Sequence, residues 1–222
     1  MNSLIKLNLT IAQMIDEARI FADFESLHNE SSLFGVNDGK TVGTYLELKF
    51  KNHLLEKYEV KLSSAASGIG LPELGVDIKV TSITQPQSSC PFRSARQKIF
   101  GLGYSLLIFV YSKTDDAVNR TANLTILHTI FVEKERTADY QTTTGLKQIL
   151  TNNGNADDLV SFMLNRNLPL DDIEAHKIAE EILGGKPIME GYLTISNALQ
   201  WRLQYSRVIK EAGNVNGIWR VR

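Results

Sequence analysis

Asp77 and Lys79 are the residues whose types and spacing most readily do chemistry. They stand two apart in Val76-Asp77-Ile78-Lys79-Val80-Thr81, a β-branched run that reads as a strand. Strand alternation sends Asp77 and Lys79 to one face and Val76, Ile78 and Val80 to the other. A carboxylate beside an ammonium, on a strand that is apolar behind, suits a metal site that handles phosphate. The same triplet also serves as an ion pair on an ordinary amphipathic strand, so its neighbours decide. The approach, Gly68-Ile69-Gly70-Leu71-Pro72-Glu73-Leu74-Gly75, is rich in turn residues and carries a further carboxylate at Glu73. Upstream, Glu47 follows Tyr45-Leu46 in a helical pattern. Alone it is a solvated charge; as partner of Asp77 it completes an acidic pocket. Gly43, one turn earlier, permits close approach of that helix to a neighbour.

The elements that must position these residues follow from periodicity. Residues 9–30 carry Ile11, Met14, Ile15, Ala18, Phe21, Ala22 and Phe24 at helical spacing, and Thr41 to Glu56 gives a second amphipathic helix. Ser31 to Gly39 reads as a loop. Tyr58 to Leu62 and Val76 to Ile83 read as strands separated by a small-residue turn from Ser63 to Gly70, and Arg93 to Ile99 as a short basic helix. Tyr104 to Tyr111 and Ala122 to Glu133 are apolar enough for buried strands. Gln148 to Gly154 is polar. Helices are predicted at 156–166, at 170–183 with Asp171 or Asp172 as cap and Gly184-Gly185 as stop, and at 194–212; a strand closes the chain at Gly217–Arg222. The order predicts a mixed α/β core over 1–150 and a helical part over 151–222.

Composition narrows the function classes. The chain has 222 residues, is 43% hydrophobic, and balances 24 Lys+Arg against 25 Asp+Glu for a net charge of -1. A nucleic-acid partner would therefore meet a local basic patch, since bulk charge does not announce one. One cysteine, Cys90, excludes an internal disulfide and a Cys-based zinc site. The longest apolar run, Leu106 to Tyr111, is too short to span a bilayer, and no signal-peptide pattern opens the chain, so a cytoplasmic location without a membrane partner is expected. Gly39-Lys40-Thr41 is no phosphate loop, because Phe34 occupies the place of the first glycine and no strand precedes it. His28, His53, His128 and His176 are scattered without metal-ligand spacing.

Taken together, Val42-Gly43-x-x-Leu46-Glu47 and Gly75-Val76-Asp77-Ile78-Lys79-Val80 resemble the PD-(D/E)XK nucleases, and most closely the branch of type II restriction endonucleases related to the mismatch-repair nicking enzyme MutH. The similar segment covers roughly residues 39–80. The resemblance implies a restriction-endonuclease-like fold, a mixed sheet flanked by helices, and sequence-specific hydrolysis of double-stranded DNA with Mg²⁺. It implies Glu47 and Asp77 as acidic metal ligands and Lys79 as the phosphate-facing charge. It also implies a homodimer acting on a palindrome, and a cognate DNA methyltransferase in function. In the family a further aspartate stands seven residues before the strand acid; here that position is Gly70, in Gly70-Leu71-Pro72. Glu73 is the candidate substitute. Two alternatives stay open: a DNA-binding protein of this fold whose catalysis is impaired by Gly70, and a repair nicking endonuclease.

With that context, Gln85, Gln87, Ser88 and Ser89, next to Arg93, Arg96 and Lys98, form a candidate DNA surface, since hydroxyls and amides suit phosphates and Gln or Arg reads base edges. Without it, the same stretch is a polar loop with a charged helix. Arg202 and Arg207, in the predicted last helix, offer a second patch. Trp201 and Tyr205 read as core or interface, and the acidic stretch from Asp171 to Glu181 as facing away from DNA.

Overall fold

A computed structural model describes residues 6–61, 69–195 and 202–222. In chain order its elements are β1 (Leu7–Asn8), α1 (Ile11–Ser26), β2 (Asn29–Glu30), α2 (Gly39–Lys57), β3 (Tyr58–Glu59), β4 (Val76–Ser82), β5 (Gln87–Ser89), α3 (Ala95–Phe100), β6 (Ser105–Asp116), β7 (Thr121–Val132), α4 (Tyr140–Thr151), α5 (Ala156–Asn165), α6 (Asp172–Leu183), β8 (Thr194–Ile195), β9 (Arg202–Gln204), α7 (Ser206–Glu211) and β10 (Ile218–Arg220). They gather into two compact units. The first comprises Met1–Ser88, Leu106–Val132 and Ile209–Arg222; the second comprises Ser89–Ser105 and Glu133–Val208.

The first unit is a sheet ordered β10-β7-β6-β4, with β2 on β7, packed by α1 and α2. This mixed α/β arrangement is the one expected for a restriction-endonuclease-like fold. Thr10 starts α1 with a capping box shared with Gln13, and Asp38 starts α2 by accepting from Lys40 N and Thr41 N. Gly39-Lys40-Thr41 is thus the first turn of a helix that begins two residues before the predicted Thr41. The fully buried Met14, Leu46, Phe50 and Phe109 tie both helices to the sheet. The rings of Phe21, Phe50 and Phe109 stand 5.1–5.7 Å apart at tilted and edge-on angles, as their quadrupoles prefer.

Between α1 and α2 the buried polar groups are paired, as their desolvation demands. Glu17 meets His53 at 2.7 Å, Lys57 at 2.6 Å and Tyr58 at 3.1 Å, and Glu25 pairs with Lys49 at 2.8 Å. The strands β6 and β7 pair antiparallel from Leu106↔Val132 to Asp116↔Thr121 with a bulge at Val110/Tyr111. β6 runs five residues beyond its predicted end at Tyr111, because its polar tail Ser112 to Asp116 is held by the ladder rather than by burial. The predicted terminal strand is present as β10, paired antiparallel to β7.

The second unit is mostly helical, with Ile99, Leu146, Leu159, Met163, Ala175 and Ile178 in one cluster. Asp171 caps α6, and Asn155 opens α5 with a capping box. Two expectations fail here. Where the predicted helix at 194–212 is described, it is instead β8, β9 and the short α7, with β8 and β9 antiparallel; 196–201 lie outside the described residues. Buried Leu203 and Tyr205 alternate with half-buried Arg202 and Gln204, a period of two that the helical reading overlooked. Arg202 and Arg207 therefore belong to different elements. The helix α4 went unpredicted because its first turn is polar; Thr142 and Thr143 are nonetheless buried, their hydroxyls bonded to Asp139. Leu62, the turn from Ser63 to Gly68, and Trp201 lie outside the described residues.

Candidate active site

β4 presents its two faces as the alternation required. Val76 and Ile78, 0% and 2% exposed, join the core with Val42, Leu46 and Phe50 of α2, while Asp77 and Lys79 occupy the other face. Lys79 Nζ lies 2.7 Å from Asp77 Oδ2, so the pair is formed. Asp77 is only 5% exposed; its Oδ1 accepts the backbone N–H of Gly70 at 3.2 Å. The buried Oδ2 takes no hydrogen bond of good geometry, so among the described residues its neutralising neighbour is the Lys79 ammonium.

The turn before β4 explains how Gly70 arrives there. Leu71 and Val76 exchange backbone hydrogen bonds at 2.8 and 3.2 Å around a 3-10 turn at Pro72–Leu74. Gly75 closes it at φ 61°, a left-handed conformation that favours glycine. A β-carbon added at buried Gly70 would meet Ile78 N at 3.4 Å and the Ile78 side chain at 3.5 Å, which are ordinary contacts. The backbone of residue 70 is therefore beside Asp77, and its β-carbon position faces Ile78 with room for one added carbon. Glu73 lies on the turn itself, about half exposed, and pairs with Lys61 at 2.8 Å; that contact holds its carboxyl below the usual range. Glu73 is thus engaged by Lys61 rather than by the Asp77–Lys79 pair.

Gly43 of α2 sits against β4: a β-carbon added there would stand 3.8 Å from Val80 Cβ. Glu47, one turn on, is a third exposed and meets the buried Lys51 at 2.6 Å. Among the described residues, no group of three or more His, Cys, Asp or Glu is placed to hold a metal ion. The protein side of a metal site here is thus, among the described residues, at most two carboxylates. Hard oxygen donors of that number fit Mg²⁺, which keeps several waters and is completed by substrate phosphate. The buried, hydrogen-bond-poor Oδ2 of Asp77 suits a cation.

The sequence overlooked Thr81, which shares a face with Asp77 and Lys79 by the same alternation. Only 4% exposed, it donates within 3.3 Å to the carbonyls of Gln85 and Gln87. It thereby fixes the Gln/Ser segment to the strand that carries the Asp-x-Lys pair. Gln85 is exposed, Gln87 and Ser88 are half-buried, and Ser89 is exposed at the end of β5.

The basic segment that follows is not one cluster. Arg93 is exposed, whereas Arg96 bonds Glu174 at 2.5 Å and Glu181 at 3.0 Å, and Lys98 is 5% exposed near Asp139 and Cys90, with burial pulling its ammonium below the usual range. The acidic face of α6 supplies the partners of Arg96. Arg202 is half-buried on β9. Arg207 stacks on Tyr140, a residue that no sequence pattern marks.

The family described as "Type II restriction enzyme NspV" matches residues 8–220. A type II restriction enzyme NspV of Nostoc sp. is 63% identical over 210 residues, which span 95% of each chain. No solved structure matches.

Proposed function

The chain belongs to the type II restriction enzyme NspV family, and from that membership we infer that it is an endodeoxyribonuclease that hydrolyses phosphodiester bonds of double-stranded DNA at a specific sequence. The observation that carries the assignment of chemistry to residues is the buried Asp77 with Lys79 at 2.7 Å on β4. Asp77, with Glu47, would hold Mg²⁺. When bound, that ion supplies positive charge at the scissile phosphate and acidifies water there. Lys79 keeps its ammonium next to Asp77 and meets the charge that develops on the phosphate in the transition state. The N–H of Gly70 fixes the Asp77 carboxylate, so the pair is set before substrate arrives. Thr81 ties the Gln85–Ser89 segment to the same strand, which supports the reading that this segment meets DNA beside the scissile bond.

Partner assignments follow from the chemistry. A symmetric duplex site calls for two active sites related by a two-fold axis, hence a homodimer. A restriction enzyme also calls for a cognate DNA methyltransferase to protect the same sequence. No described helix is long and apolar enough to cross a membrane, and a DNA substrate points to the cytoplasm. The residues after 150 are proposed to contribute to recognition.

The test is cleavage of supercoiled plasmid in Mg²⁺. Discrete linear fragments are expected from the native chain; nicked circles alone would point to a nicking enzyme. Asp77→Asn and Lys79→Met should each lower cleavage by about 100-fold or more, the scale of losing a transition-state charge contact. Melting and duplex binding should remain. Normal cutting by both variants would show that the chemistry lies elsewhere.

A further inference from the structure

Arg207 differs from the other arginines whose partners the second unit shows. Arg96 is held by Glu174 and Glu181, Arg136 by Glu190, and Arg166 donates to Gln141 at 2.7 Å. The guanidinium of Arg207 has no hydrogen bond or ion pair among the described residues, and its Nε is closed off from water without an acceptor. What it has is a ring. Its central carbon lies 3.5 Å from the centroid of Tyr140. The Tyr140 ring in turn stands 6.3 Å from that of Tyr192, over which Arg136 lies at 5.8 Å.

The backbone that carries Tyr140 is fixed. Tyr140 is the first residue of α4, its N–H donates to Leu193 O at 2.7 Å, and Asp139 before it caps the helix through Thr142 N at 3.1 Å. A π-face attracts the cation but accepts none of its N–H groups in the guanidinium plane. Its two Nη groups have no acceptor among the described residues, and stacking has already removed torsional freedom from this half-buried side chain. Such a group is ready for a paired acceptor. With Nε closed off, the contact is end-on, through the two Nη groups.

We propose that Arg207, held flat by Tyr140, is a preset DNA contact that grips a paired acceptor, either the N7/O6 edge of a guanine or the oxygens of one backbone phosphate. Both sources offer two acceptors to a planar fork. A lysine in its place offers a single point of charge and cannot reproduce the geometry. The proposal rests on duplex DNA being the substrate.

The experiment measures equilibrium binding, without divalent metal so that nothing is cut. The probes are a duplex that the native protein selects from a randomised pool and a scrambled duplex of equal length. Arg207→Ala should weaken binding of the selected duplex by about 5- to 150-fold. Arg207→Lys should lose nearly as much, Tyr140→Phe almost nothing, and Tyr140→Leu an intermediate amount. A loss confined to the selected duplex assigns the contact to a guanine edge. An equal loss on both duplexes, with the salt slope reduced by about one, assigns it to a phosphate. If Arg207→Ala and Arg207→Lys bind both duplexes as the native chain does, the proposal is overturned, whether or not their melting temperatures fall. If the native protein neither binds duplex nor cuts plasmid in Mg²⁺, the nuclease reading falls together with this contact.

Discussion

Gly70→Asp is the perturbation that asks most of the site. The added β-carbon makes only ordinary contacts with Ile78, at 3.4–3.5 Å, so the backbone tolerates it. Gly70 N already bonds Asp77 Oδ1 at 3.2 Å, so a carboxylate on residue 70 that turns from Ile78 back towards its own N–H reaches Asp77. Two carboxylates about 5 Å apart repel by about 3 kcal/mol at an effective dielectric constant of about 20. Lys79 already neutralises one charge, so the net cost without metal is nearer 1–2 kcal/mol, equivalent to a fall in melting temperature of about 2–8 °C. A divalent cation between the carboxylates should reverse that cost. The variant should therefore melt lower than the native chain without metal, gain more stability from Mg²⁺, and cleave plasmid faster. Scanning calorimetry with and without Mg²⁺, beside the plasmid assay, gives both readings. Equal Mg²⁺ stabilisation of both proteins with no gain in cleavage would refute the placing of a metal beside position 70.

Two further outcomes test the frame around the site. At Gly191 an added β-carbon would come within 2.5 Å of the Ala138 backbone, where neither chain can yield cheaply. Gly191→Ala should cost about 1–3 kcal/mol by overpacking, read as a lower urea midpoint with unchanged slope. For Glu181, hydrogen bonds from Arg96 and Lys186 hold the carboxyl down to about 2, from 4.5 in the free state. A carboxyl depressed by folding stabilises the protein above its unfolded value, and that contribution fades as pH falls from about 4.5 to about 2. Glu181→Gln should therefore flatten the acid branch of stability in that window; an unchanged acid titration of melting would show that the Arg96 pairing carries no stability.

The resemblance to the PD-(D/E)XK nucleases also bears on Gly70. By that resemblance Gly70 is the departing position, and the structure holds Asp77, Lys79 and the Gly70 amide in one arrangement. Glu73, the carboxylate nearest in sequence, is taken by Lys61 on an exposed turn. The geometry thus gives Gly70→Asp more weight as a test than any change at Glu73.

The local pattern alone determined much of this protein. Alternation along β4 placed Asp77 and Lys79 together, and apolar spacing at Met14, Phe21, Leu46 and Phe50 placed α1 and α2 on the sheet, because burial of one face is a property of period and needs no partner to be named. The same local logic failed where stability came from elsewhere in the chain. β6 extends through polar Ser112 to Asp116 because β7 pairs with it, and the β8–β9 pairing overrides the helical look of 194–212. Only the tertiary structure showed that Arg96 and Lys98 are engaged or buried while Arg207 is half-buried and stacked on Tyr140. A charge in a sequence declares what it can donate. Which acceptor lies within 3 Å depends on residues about 80 positions away, as with Glu174 for Arg96, and that distance is set by folding.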